Sequence, residues 1–205
     1  GGKLNRFRVM NTTHNAIRIS ASDSNALAEA KKVIQSGGII IYPTDTVYGF
    51  GVDATNKIAI NNLNKIKKRT GPISIIVSNM KMAFSISNLS QKQETLLSIK
   101  LGGANTIIVP LIPGFVHPLI SGDDNTVGIR IPQHSFGTDL VSILGKPITT
   151  TSVNISGRSP LINSEKIMDV FGHFVDLFID EGDLLSSKGS KILKLEEEHL
   201  TVIRK

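Results

Sequence analysis

Four segments rich in polar residues stand at or within runs that read as buried strands or helices. The first, YPTDTVYGFG over 42–51, follows directly on GGIII. Thr44 and Thr46 bring hydroxyl donors and acceptors, Asp45 an acceptor or metal-side carboxylate, and Tyr48 a flat apolar face with a phenol tip. Gly49 and Gly51 let the backbone approach a ligand closely. The set suits a ligand lip; the alternative is a polar turn whose Asp45 and threonines bond only their own backbone.

The second segment, IKKRTG over 66–71, ends a helix. Basic residues there complement the helix dipole, which is reason enough for any one of them. Lys67 and Arg69 together could also converge on a polyphosphate, as a point charge beside a bidentate fork. The third, TTTSVNISG over 149–157, sets Ser152, Asn154 and Ser156 at alternate positions, which face one way if strand geometry continues. Such a row fits phosphate oxygens or a small amino acid; otherwise it is a polar loop satisfying its own backbone. In the fourth, TVGIRIP over 126–132, Arg130 interrupts an apolar strand and must find a partner, because an unpaired buried charge is very costly. Arg204, in the terminal VIRK, repeats that question more weakly.

Other chemistries are excluded. No GxxxxGK[ST] occurs, so there is no P-loop. Gly49, Gly51 and Ala54 spell GxGxxA, but Gly49 stands too far beyond Tyr42 for a tight strand-to-helix turn, and no acidic residue follows at the dinucleotide spacing. The chain has no cysteine, which removes thiolate catalysis, disulfides and thiolate metal sites. Its five histidines are scattered without paired-ligand spacing, so no protein-held metal is expected. A net charge of +6 favours anionic partners such as nucleotide phosphates or RNA. Apolar runs fall short of a membrane helix, and a cytoplasmic protein is expected.

The elements that must position these residues alternate. AIRIS (16–20), IIIY (39–42), ISIIV (73–77), TIIVPL (106–111), VGIRIP (127–132), ITTT (148–151), VDLFID (175–180), KILKL (191–195) and LTVIR (200–204) read as strands. Ser24 and Asn56 are candidate caps for helices whose apolar residues recur on one face, and Ser90 with Gln93 spells a capping box. Further helices are expected near 137–144 and 164–171. Helical crossovers imply parallel pairing, while the short acidic loop at 196–199 suits a hairpin. The expected fold is α/β: one domain over 1–205, a twisted mixed parallel and antiparallel sheet with packed helices, and residues 1–15 as an N-terminal extension. Ligands of such sheets lie beyond strand ends, where the four segments fall.

Taken in order, GGIIIYPTDTVYGFG, the KxR of Lys67 and Arg69, GGANTIIV (102–109), TVGIRIP, TSVNISG and FIDEGD (178–183) resemble the signature segments of YrdC-like threonylcarbamoyl-adenylate synthases. The resemblance spans about residues 24–204. It implies condensation of L-threonine, bicarbonate and ATP into threonylcarbamoyl-adenylate and pyrophosphate, with Mg²⁺ carried on ATP and no covalent enzyme intermediate. A partner transferase would then modify the adenosine beside the anticodon of tRNA. By the same resemblance, Lys67 and Arg69 hold ATP phosphates and are the catalytic pair. Ser152, Asn154, Arg130, Ser190 and Arg204 fall on the nucleotide, and Thr44 orients threonine with Tyr48 as a wall. The alternative is a paralogue that binds tRNA or double-stranded RNA with little or no synthase activity; a 5% aromatic content argues against readout by base stacking.

The chain departs from the family pattern in three places. The spacer after KxR is short, so Pro72 arrives early and the ISIIV strand lacks the histidine that some members have. Gly102-Gly103-Ala104-Asn105-Thr106 stands where many members have PGPxT. Ser190-Lys191-Ile192-Leu193-Lys194 keeps only the serine of STxVDL, so Lys191 and Lys194 mark an altered edge of the pocket.

Overall fold

The computed structural model describes residues 14–205, so most of the expected 1–15 extension lies outside the described residues. From the amino end, β1 (Ile17–Ser20) leads through α1 (Ala26–Gln35) to β2 (Ile40–Tyr42) and β3 (Gly49–Gly51). Then come α2 (Lys57–Lys67), β4 (Ile75–Ile76), α3 (Met80–Ile86), α4 (Gln91–Lys100), β5 (Asn105–Pro110) and β6 (Thr126–Arg130). Next are α5 (Ser135–Leu144), β7 (Ile148–Thr149) and β8 (Thr151–Ser152). Last come α6 (Ser164–Phe171), β9 (Leu177–Asp180), β10 (Lys191–Glu196) and β11 (His199–Arg204).

Local chemistry explains several boundaries. Asn56 Oδ1 accepts from Ala59 N at 3.0 Å, and Ser90 and Gln93 make the reciprocal capping box at the start of α4. The first helix starts one residue later than Ser24 implies, with Asn25 at the cap position and no side-chain cap bond. The ISIIV segment pairs only through Ile75 and Ile76, and the short α3, capped by Asn79, is an element the periodicity does not announce.

The mixed sheet is realised as two. One runs β1-β9-β2-β3-β8, the other β11-β10-β5-β6-β4-β7, and both contain parallel and antiparallel pairs. The ITTT segment serves both: Ile148 and Thr149 pair with β4, whereas Thr151 and Ser152 pair with β3. Thr149 makes the division possible. Its hydroxyl accepts from Val52 N at 2.9 Å and donates to Phe50 O at 3.0 Å, so a side chain satisfies β3 backbone where the sheets part.

One apolar cluster packs Phe50 edge-on to Phe171 (centroids 5.1 Å apart) and Tyr48 against Phe178 (5.3 Å). A second sets Tyr42 and Ile40 against Ile34 of α1 and Leu140 of α5. The Tyr42 hydroxyl donates to Thr149 O at 2.9 Å, so the division between the sheets is fixed from this side as well.

Candidate functional site

A cavity of about 700 Å³ has one face of the six-stranded sheet as its floor. The strand period of two makes the selection: Thr106 and Ile108 from β5, Gly128 and Arg130 from β6, Ile192 and Lys194 from β10. Ile108 lies opposite Gly128 and beside Lys194, while Ile192 lies between Thr106 and Arg204. The floor is flat at Gly128 for a steric reason, since a Cβ there would sit 2.5 Å from Ser74 Oγ and 3.1 Å from Thr106 Cγ2.

Arg204 reaches this face through an irregularity. Leu193 pairs with Val202 but Ile192 pairs with Arg204, so Ile203 is the extra residue of a bulge. Arg204 Nη2 and Nε then donate to Ser190 O at 2.7 and 3.0 Å, and Ser190 Oγ lies 2.7 Å from Thr106 Oγ1. Both side chains thereby fix the end of the loop that leads into β10.

The walls come from residues 46–49, the C-terminal end of α2, the 152–160 loop and residues 187–190. Lys67, 3% exposed, closes α2. Its Nζ donates to Asn154 Oδ1 at 2.9 Å and also to Ser152 O, and Ser152 Oγ donates to the same Oδ1 at 2.6 Å. Burial, with the neighbouring charge of Arg69, holds the Lys67 ammonium down to about 8. Lys67, Ser152 and Asn154 therefore form one hydrogen-bonded cluster at the cavity wall, and Arg69 lines the cavity beside it.

The lining is strongly cationic. Among the described residues, Lys67, Lys188, Lys194 and Lys205 with Arg69, Arg130, Arg158 and Arg204 face one acidic side chain, Asp124. That carboxylate is engaged: Oδ2 accepts from Lys194 at 2.8 Å and Oδ1 from Thr126 at 2.7 Å. The lysine and its hydroxyl partner hold the Asp124 carboxyl below its usual range. Among the described residues no group of three His, Asp or Glu is arranged to hold a metal. The donor set fits anions, and a divalent cation would arrive on a polyphosphate.

The 42–51 segment divides. Thr46, Val47, Tyr48 and Gly49 line the cavity, whereas Thr44 does not. The Thr44 hydroxyl donates to Val47 O at 2.6 Å, accepts from Thr46 N at 3.1 Å and lies 3.1 Å from Thr46 Oγ1. Tyr48 is fully buried, and its phenol donates to Gly182 O at 2.6 Å and accepts from Glu181 N at 2.9 Å. Burial pushes that phenol up to about 12. Asp45 takes the partner role that Arg130 demands: it pairs with Arg130 Nη2 and accepts from Gln133 N at 2.9 Å. The Nε of Arg130 donates to Gly103 O at 3.2 Å. The glycines at 102 and 103, with φ of 145° and 59°, supply a backbone shape that proline could not.

Sequence reasoning placed Thr46 in the polar lip but did not single out Arg158 or Lys188, each a basic residue in a loop with no periodic pattern around it to give a local signal. A second hollow, of about 820 Å³, lies at the N-terminal ends of α1 and α5. Two of its charged pairs are made within the protein, Arg18 on Asp180 and His134 on Glu181, each at 2.7 Å.

Residues 32–205 match the Sua5_yciO_yrdC family, described as "Telomere recombination". The chain belongs to this family. A curated relative from Methanocaldococcus jannaschii, provisionally named threonylcarbamoyl-AMP synthase, is 34% identical over 176 residues, covering 85% of this chain and 82% of the relative. The solution structure of the MTH1692 protein from Methanobacterium thermoautotrophicum is 33% identical and overlays with a TM-score of 0.70 over 95% of this chain and 92% of that one. Sua5 from P. abyssi, solved with L-threonine, shares the fold at a TM-score of 0.80 and 24% identity. That overlay covers 93% of this chain and 56% of the longer Sua5 chain. No helix among the described residues is long and apolar enough to cross a membrane.

Proposed function

We propose that the protein is an L-threonylcarbamoyl-adenylate synthase, joining L-threonine, bicarbonate and ATP with release of pyrophosphate. The observation that carries this reading is the convergence of Lys67, Ser152 and Asn154 on one wall of a cationic cavity whose floor is flat and partly apolar. The family membership and the naming of the M. jannaschii relative support it. Residues 1–205 act as a single YrdC-like domain in this reading, working in the cytoplasm and passing the adenylate to a tRNA-modifying transferase.

In the reaction, the threonine amine and bicarbonate give a carbamate with loss of water. A carbamate oxygen then bonds to the α-phosphorus as the bond to the bridging β-oxygen breaks, and the electron pair leaves with pyrophosphate. Negative charge moves across the phosphate chain during this step, and fixed cations stabilise it without reorganisation. Lys67 is cationic at neutral pH and Arg69 always so; with Ser152 and Asn154 they hold the phosphates. Magnesium bound to the triphosphate supplies further charge neutralisation. Arg130, Ser190 and Arg204 shape the nucleotide end, largely by fixing backbone, as their own bonds indicate. Threonine lies against the 46–49 wall, where Thr46 presents a hydroxyl and Thr44 holds it in place through the turn.

The RNA-binding alternative is not favoured, because a hydrogen-bonded phosphate pocket is a more specific structure than a basic surface needs. The test is a mass-spectrometric assay with ATP, L-threonine, bicarbonate and Mg²⁺. Threonylcarbamoyl-adenylate that requires all three substrates and is lost in Lys67→Ala is the expected outcome; absence of product with wild-type protein refutes the reading.

A further inference from the structure

The cations around the cavity differ in what they already hold. Lys67 is bonded to Asn154, Arg69 donates to Pro72 O at 2.8 Å, and Arg130 is paired with Asp45. Lys194 is paired with Asp124 and Arg204 is bonded to Ser190 O. Arg158 lines the same cavity, and among the described residues nothing bonds its guanidinium. Its backbone is nevertheless fixed: its N donates to Ile155 O at 3.0 Å, and its carbonyl accepts from Asn154 Nδ2 at 2.6 Å. Asn154 thus holds Lys67 with its oxygen and the Arg158 backbone with its nitrogen. Gly157, at φ 85°, makes the turn between them.

We propose that Arg158 is a further phosphate-holding residue, whose guanidinium takes the terminal phosphates of ATP and stays with pyrophosphate as it leaves. This rests on the synthase reading of the cavity. The position follows from depth and polarity. Ile108 and Ile192 offer an apolar floor for the base, Lys67 is the buried cation, and Arg158 is exposed at the mouth, where the most highly charged phosphates keep contact with water. Lys188 and Lys205 also line the cavity, but each is a compact charge on a flexible stem, whereas a guanidinium fork can span two phosphate oxygens.

The test is calorimetric titration of ATP, inorganic pyrophosphate and AMP, each with Mg²⁺, into wild type, Arg158→Gln and Arg158→Lys. Losing charge-assisted bonds should weaken ATP and pyrophosphate about ten- to a hundredfold in Arg158→Gln, with AMP binding and thermal stability unchanged. Arg158→Lys should recover only part of the loss. Unchanged binding of all three ligands, or an equal loss for AMP, overturns the proposal, as does a wild type that fails to bind pyrophosphate. If wild type binds ATP and pyrophosphate yet makes no adenylate, the synthase reading falls while the Arg158 comparison still decides the phosphate role.

Discussion

Asn154 Oδ1 accepts from Lys67 Nζ at 2.9 Å and from Ser152 Oγ at 2.6 Å, joining residues that lie far apart in the chain. Asn154→Ala would remove this acceptor and leave a nearly buried ammonium with one carbonyl partner. A stability loss of about 1–3 kcal/mol is expected, the usual cost of a buried polar group left short of a partner. ATP affinity should fall with it, because neither Lys67 nor the 154–158 turn is then held. Urea unfolding and calorimetry on the same variant check both effects.

Lys67 also sets a pH dependence, because its ammonium gives up its proton at about 8. ATP affinity should decline as pH rises through that value in wild type and show no such step in Lys67→Met. Stability should move the other way. An unfolded lysine keeps its proton to about 10.4, so between the two values the unfolded chain binds more protons than the folded one. By linkage the folded state gains over that window as pH rises, while below about 8 the full cost of burying the charge remains. Thermal unfolding of wild type against Lys67→Met from pH 7 to 10 measures the difference; parallel curves would refute the assignment.

Tyr48→Phe tests whether the YPTDTVYGFG lip is anchored from behind. The substitution removes the hydroxyl that donates to Gly182 O and accepts from Glu181 N but keeps the ring against Phe178. A loss of about 1–3 kcal/mol is expected from the unsatisfied backbone groups. Hydrogen exchange should speed up at Glu181 and Gly182, and leave the α4 amides unaffected.

What the sequence discloses divides by range. Asn56 and the Ser90–Gln93 box are legible because their partners lie three residues away. The alternation of polar residues along β5, β6 and β10 is legible because the strand period is local. That Arg130 needs a partner is legible too, but not that the partner is Asp45, since pairing across 85 residues is decided by the tertiary fold. The bulge at Ile203 is hidden for a related reason: plain alternation in LTVIR puts Arg204 on the same face as Val202, and only the register with β10 turns it to the cavity. The split of ITTT between two sheets depends on where the Thr149 hydroxyl finds backbone to bond. Thr44 reads from sequence as a contact for threonine, yet its hydroxyl is bound within its own turn and Thr46 is the residue at the wall.

In the pair Asp45 and Arg130 the arginine side chain is buried, at 5% exposed, while the aspartate reaches it from the surface with 16% of its side chain exposed. Asp45→Ala should cost about 3–5 kcal/mol, because it strands a desolvated guanidinium. Asp45→Ala with Arg130→Met should restore much of that stability, since no charge is left to strand. Denaturant midpoints for the single and double variants distinguish a pair that chiefly organises the lip from one that chiefly stabilises the fold. In the first case the double variant is stable yet binds ATP poorly.

Gly128→Ala asks how much the flat floor matters. The added methyl would lie 2.5 Å from Ser74 Oγ, too close for any relaxed pair, so either Ser74 moves or β6 lifts. Overpacking of this kind costs about 1–3 kcal/mol. Removing the obstruction in Gly128→Ala with Ser74→Ala should return most of the stability, because the remaining contact with Thr106 Cγ2, at 3.1 Å, needs only a small adjustment. If stability returns but ATP affinity stays reduced, the methyl is obstructing the ligand itself, and the face of β6 at Gly128 is where the nucleotide lies.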